Sequence, residues 1–255
     1  MEGSAVNRGV IDLCAIADGT GILFRGHAEG GTVQVQRPRE DAGIQVAGSA
    51  KITALRSDVP GEKIALIMGD NAQVDRVEGF ALLYPRLSGN ARLGSADSVL
   101  PIAFSGKAAG RTVANHVQLF GDVTLYLDEN GPFVLGGAAG IHGNVTVVKQ
   151  NTAKSAELVM MGESAVHGTL TCGDDAISFT MGDNARIDGG LALGESIVRG
   201  RFTCTGEIKS GVFAAGGEVV NLGVISGGTF YGTVSGSGTV AESALRAVTF
   251  DTGGG

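Results

Sequence analysis

The 255-residue chain carries 43 glycines, no tryptophan and 5% aromatic residues, which argues against an ordinary globular core built from large side chains. Its net charge of -7 offers no basic surface for nucleic acid, and no apolar run reaches the ~18 residues of a membrane span. Cys14, Cys172 and Cys204 are odd in number and lack metal-type spacing, so no disulfide framework is expected.

Along the chain, Met1 to Arg8 shows no basic segment followed by an apolar core, and Asp12 and Asp18 interrupt the nearby hydrophobic run. A cytoplasmic location is the expectation. Strand character is present in Gly21 to Phe24 and in Thr32 to Gln36, which alternates cleanly before the Pro38 loop. Residues 1–47 are therefore expected to form a β-rich capping segment, covering strand groups that a stack of coils leaves open at its end.

From Gly48 a glycine-led pattern recurs: Gly48-Ser-Ala-Lys-Ile52, Gly69-Asp-Asn-Ala-Gln-Val74, Gly89-Asn-Ala-Arg-Leu93 and Gly121-Asp-Val-Thr-Leu125. Pro60, Pro85, Pro101 and Pro132 interrupt it, and each is expected to mark an insertion that leaves the stack as a loop. Residues 48–140 are thus read as irregular solenoid coils with inserted loops. Residues 141–255 read as the regular part, because the units follow closely: Gly143-Asn-Val-Thr-Val147, Gly162-Glu-Ser-Ala-Val166, Gly182-Asp-Asn-Ala-Arg-Ile187, Gly194-Glu-Ser-Ile-Val198 and Gly216-Gly-Glu-Val-Val220.

The pattern favours stacking over hairpins. Asn-Gly and Asp-Gly turn pairs are sparse, while the recurring glycines precede acidic residues and alternating Ala, Val, Ile and Leu. The expectation is an all-β parallel β-solenoid, a right-handed β-helix with two glycine turns per coil of roughly 20 residues. Each coil buries only a thin apolar layer and depends on its neighbours.

The run Val159-Met-Met-Gly-Glu-Ser-Ala-Val-His-Gly-Thr-Leu170, followed by Met181-Gly-Asp-Asn-Ala-Arg-Ile-Asp-Gly-Gly-Leu-Ala-Leu193, resembles the repeats of bactofilins over residues 141–211. Those are polymer-forming bacterial cytoskeletal proteins with a right-handed parallel β-helical core. The resemblance implies assembly, and it implies neither a cofactor nor an active site. Pro-bearing residues before 141 have no counterpart in it.

Groups able to carry chemistry are few. Glu163, Asp174, Asp175, Asp183, Asp188 and Glu195 suggest either paired carboxylates acting on a glycan or oxygen ligands for Ca²⁺. Turn chemistry is the simpler reading, since these acids recur with the glycine corners instead of clustering once. His27, His116, His142 and His167 show no His-x-His or His-x-x-x-His spacing, so no metal site is expected. Cys172 and Cys204 end alternating strands with Leu170 and Phe202 on their face, which predicts inward, structural thiols. Gly136 to Gly140 and Gly236 to Thr239 lack the Lys-Ser/Thr ending of a phosphate loop.

The functional expectation is a non-enzymatic structural or scaffold protein that self-associates or docks in a larger assembly, without cofactor. An alternative is a glycan- or protein-binding fibre module using loops that hold Arg37, Arg39, Arg56, Lys63, Tyr84, Arg86, Glu129 and Asn130. A third reading is a polysaccharide-acting enzyme using stacked aspartates.

Overall fold

The computed structural model describes residues 6–14, 21–36, 43–57, 61–103, 112–113, 115–128, 131–150, 156–172, 177–241 and 248–250. Among these residues there is no helix, and every described strand pairing is parallel, so the chain is a β-solenoid with coils of about 21 residues. It divides into two compact units, Met1–Thr124 and Leu125–Gly255.

The first unit contains β1 (Val6–Cys14), β2 (Gly21–Phe24), β3 (Glu29–Gln36), β4 (Gly43–Val46), β5 (Lys51–Ser57), β6 (Glu62–Met68), β7 (Gln73–Glu78), β8 (Phe80–Leu87), β9 (Arg92–Ala103) and β10 (Thr112–Val113). It also contains most of β11 (Gln118–Leu127). Two ladders run through it, β1–β3–β5–β7–β9 and β2–β4–β6–β8. Strands from residues 21–46 belong to these ladders, so this stretch is built as coils. Register places Glu29 beside Lys51, Lys51 beside Gln73 and Gln73 beside Arg92, the last step being the shortest. Inward residues stack as Ile52 on Val74 on Leu93 and as Val46 on Met68 on Leu87, all buried.

The prolines of this half do not all leave the stack. Pro85 lies inside β8, buried opposite Leu66, and Pro101 lies inside β9. Proline is compatible with a strand where its absent N–H faces no ladder acceptor, so its presence alone does not mark an insertion.

The second unit continues with β12 (Phe133–Leu135), β13 (Gly140–His142), β14 (Val145–Lys149), β15 (Glu157–Met160), β16 (Ala165–Val166), β17 (Thr169–Cys172), β18 (Ser178–Ile187) and β19 (Gly190–Cys204). It ends with β20 (Glu207–Phe213), β21 (Glu218–Asn221), β22 (Val224–Ile225), β23 (Gly228–Phe230), β24 (Thr233–Ser235), β25 (Thr239–Val240) and β26 (Val248–Phe250). Its coils have three sides. One side stacks Phe133, Leu158, Phe179, Val198, Phe213 and Phe230; the second stacks Ile141, Val166, Ile187 and Cys204; the third stacks Val145, Leu170, Leu191, Ile208 and Ile225. All of these are buried.

Along the third side of this unit the chain takes fewer residues per coil. On the third side Val145 meets Leu170, Leu170 meets Leu191, and Leu191 meets Ile208, each step along the chain being shorter than the one before. The step from Ile225 to Val240 is shorter still. A shortened corner is visible at Gly200, which pairs with Met181 where the span Met181 to Ala185 faces only Gly200 to Phe202. A Cβ at Gly200 would lie 1.8 Å from the Met181 carbonyl oxygen, so only glycine permits the shortened corner.

A left-handed corner recurs in most coils. In the first unit Gly26, Gly48, Asp70, Gly89 and Asn115 have φ of 74°, 67°, 54°, 67° and 61°; in the second, Gly137 and Gly162 have 64° and 67°. The residue after each corner donates its N–H to the corner carbonyl one coil earlier: Ser49 to Gly26 at 2.7 Å, Asn71 to Gly48 at 2.8 Å, Asn90 to Asp70 at 2.6 Å, His116 to Gly89 at 3.0 Å and Glu163 to Gly137 at 2.7 Å. Only glycine, asparagine and aspartate occupy the corner, the types that tolerate this conformation. Asp70 adds a bond of its own, accepting the Gly48 N–H at 2.9 Å. Thus the repeat that reads in sequence as starting at Gly69 starts structurally at Asp70, while Gly69 occupies the position of Ala47 and Ser88, the residues just ahead of their own corners.

Two residues beyond each of these corners the chain turns inward, at Ala28, Ala50, Ala72, Ala91 and Val117, and in the second unit at Ala139 and Ser164, the latter aligned with buried Ala185 one coil on. Ser164 is the exception in chemistry, with a buried hydroxyl that has no hydrogen-bond partner. Since Ala139 and Ala185 fill the same position, Ser164→Ala is expected to raise stability by about 1 kcal/mol, measured by denaturant unfolding. At the corner itself, Asp70→Ala should cost about 2 kcal/mol, combining left-handed strain with a lost hydrogen bond, whereas Asp70→Gly should cost less than about 1 kcal/mol.

Candidate functional site

Stacking turns sequence spacing into surface columns. Side chains that follow the second side of the second unit lie above one another at the corner leading to the third side: His142, His167, Asp188 and Thr205. The His142 and His167 rings stack with centroids 4.5 Å apart and planes 18° apart. His167 Nδ1 lies 2.8 Å from Asp188 Oδ2. Asp188 is held in turn by Arg186, whose Nε is 2.9 Å from Oδ1 and whose terminal nitrogen donates to Oδ2 at 3.0 Å. The Thr205 hydroxyl donates to the Asp188 carbonyl at 3.1 Å and to Oδ1 at 3.3 Å.

The histidines are therefore not all scattered. His142 and His167 are separated by one coil, and the wide step between them, followed by the shorter step to Asp188, was the available signal. Short-range motifs such as His-x-His cannot express it. No group of three or more His, Cys, Asp or Glu among the described residues is arranged to hold a metal ion.

The acids do not converge. Glu163 sits at the corner between the first and second sides, Asp188 at the next corner, and Glu195 at the corner between the third side and the first. Asp174 and Asp175 lie outside the described residues, as does the side chain of Asp183. Glu207 and Glu218 serve local contacts. The Ser226 hydroxyl donates to Glu207 at 2.6 Å and holds its carboxyl below the usual range, and Ser235 does the same for Glu218, which Arg201 also meets at 2.8 Å.

Of the residues expected to line binding loops, Arg56 lies in β5, Lys63 in β6, and Tyr84 and Arg86 in β8. This corrects the loop assignment: their segments hold register with neighbouring coils, Arg56 beside Glu78 and Ala65 and Ile67 beside Tyr84 and Arg86. Arg56 belongs to a different ladder from the other three, so they do not form one cluster. Arg37, Arg39, Glu129 and Asn130 lie outside the described residues. Gly136 to Gly140 forms one of the recurring corners, with Ala139 donating its N–H to the Gly136 carbonyl at 3.2 Å.

The cysteines differ. Cys204 is fully buried, and burial pushes its thiol up from 9.0 to about 11. Cys172, beside Val147, is half-buried. A protonated, enclosed Cys204 is a core residue and no nucleophile.

Comparison of the chain with protein-family models, characterised proteins and solved structures found no match. Among the described residues no helix is long and apolar enough to cross a membrane.

The raised Cys204 pKa makes a prediction with a definite sign. The native thiol stays neutral between its unfolded value near 9.0 and about 11, while the unfolded thiol ionises, so stability falls as pH rises through that window. Wild type should lose up to about 3 kcal/mol there beyond the loss shown by Cys204→Ala, measured by urea unfolding at pH 8 and pH 11.

Proposed function

We propose that this chain is a structural, non-enzymatic β-solenoid that joins another copy of itself or a larger assembly, in a cytoplasmic setting. One observation carries the reading. In the second unit each coil is added to the one before it by parallel backbone pairing, as β24 is on β21, β25 on β22 and β26 on β23.

Thr233, Thr239 and Ala241 spend their N–H groups on Gly217, Gly223 and Ile225 of the preceding coil. Neighbouring residues in a strand aim their groups to the opposite side, so Val234 and Val240 present theirs along the stacking direction. Groups aimed this way pair with a further parallel strand, whether of this chain or of another. The bactofilin-like run supports assembly by resemblance. Separate placement of the described acids and the protonated Cys204 support the non-enzymatic part.

Light scattering after size exclusion, at several concentrations and salt levels, should show species larger than a monomer. Val240→Pro removes one outward N–H without touching an inter-coil bond, so it should shift the protein toward monomer while its melting temperature falls by only a few degrees. A wild-type protein that is monomeric throughout, or a Val240→Pro variant that assembles unchanged, would overturn the reading.

A further inference from the structure

We propose that a groove on the second unit, between the tip at Gly194 and Glu195 and the backbone at Gly211 and Gly228, binds an aliphatic ammonium group, the side chain of a lysine presented by a partner protein. This goes beyond the assembly reading and does not depend on it.

The groove follows from a change of coil length at one corner. Ala192 lies beside Ser210 and Ile197 beside Val212, so Leu193, Gly194, Glu195 and Ser196 face Gly211 alone. Leu193 and Ser196 are buried, and the Ser196 hydroxyl accepts the Ile177 N–H of the coil before at 3.1 Å. The surplus chain is therefore taken up at Gly194 and Glu195, both exposed. The Gly194 N–H donates to the Ser210 hydroxyl at 2.9 Å, which ties this tip to the next coil. Against the tip lies a groove of about 480 Å³, within the size range of ligand sites. Gly211 and Gly228 line it without side chains to fill it. Ile197, Val212 and Thr229, in register on three successive coils, form a wall.

The lining chooses the ligand. Glu195 is the single charged residue in it, and it has no ion pair or hydrogen bond of its own among the described residues. Glu207 and Glu218, by contrast, already hold Ser226 and Ser235. A free carboxylate at the rim selects a cation, since a charge-assisted hydrogen bond is the stronger kind. Ile197 and Val212 offer an apolar strip beside it, the surface on which a lysine lays its methylene stem while the head stays in water. An ammonium carries three donors, and the Ser210 and Thr229 hydroxyls add acceptors to the carboxylate. One carboxylate matches one cation. A lysine side chain meets that condition, whereas a free diamine would bring a second ammonium to a groove with no second carboxylate.

Saturation-transfer NMR on the full chain tests the site, with Nα-acetyl-lysine methylamide as the probe and its norleucine counterpart as the uncharged control. Transfer should reach the lysine methylenes, be absent for norleucine, and fade as NaCl is raised to about 0.5 M. Glu195→Gln should keep the wild-type melting temperature and bind about fivefold more weakly, the upper worth of an exposed ion pair. Glu163→Gln, which removes an exposed carboxylate at another corner, should bind like wild type. No transfer to the lysine probe, equal transfer to norleucine, or binding by wild type that salt leaves unchanged would overturn the proposal. So would Glu195→Gln binding like wild type, or Glu163→Gln weakening it as much.

Discussion

Through the first unit and into the start of the second, the coils depend on one repeated backbone contact, the N–H after a left-handed corner donating to the corner carbonyl of the coil before. A coil encloses too little apolar surface to persist alone, so its side chains are useful only if the next coil lies directly above. The corner bonds set that alignment at Gly26, Gly48, Asp70 and Gly89, and again at Gly137. Once corners are in line, the inward residues fall into layers. Ile52 meets Val74 and Leu93, and in the second unit Phe133 meets Leu158 and Phe179. Small residues predominate just past the corner, where the chain turns inward at Ala28, Ala50, Ala72 and Ala91, with Val117 the larger exception.

Alignment also decides what the outside can do. Residues one coil apart become neighbours at about 4.8 Å whatever lies between them in sequence. This brings His142 over His167 and sets Asp188 beside them, and it places Arg201, Glu218 and Ser235 in one line of contacts. It equally separates residues that look clustered in sequence. Asp188 and Glu195 are close along the chain and occupy different corners.

Much of the fold was legible because its period is carried by residue types with few alternatives. Glycine before an acidic or amide residue, followed by alternating small apolar residues, is enough to expect parallel coils of roughly 20 residues. The phase was harder to read. Aspartate and asparagine share glycine's tolerance of the left-handed corner, so Gly69-Asp70-Asn71 offers two candidate starts, and only the inter-coil bond shows that Asp70 is the corner. Pro85 and Pro101 misled for a related reason: proline signals a missing donor, which breaks a strand only when that donor was needed. The histidine column was hidden because the step from His142 to His167 is longer than the step from His167 to Asp188, and a fixed short motif does not detect a period that shrinks with the coil. Arg56, Lys63, Tyr84 and Arg86 stand in strands because charge and aromaticity mark exposure, and an outward strand position is exposed too.

Amide hydrogen exchange at the corners tests the ladder most directly. The amides of Ser49, Asn71, Asn90, His116 and Glu163 sit in turns, where open loops exchange at close to free-chain rates. If corner bonds hold the coils in line, these amides are protected to the same degree as Val74 and Ile187 in the strands. Exchange at free-chain rates at those corner positions, with the strands still protected, would contradict the account.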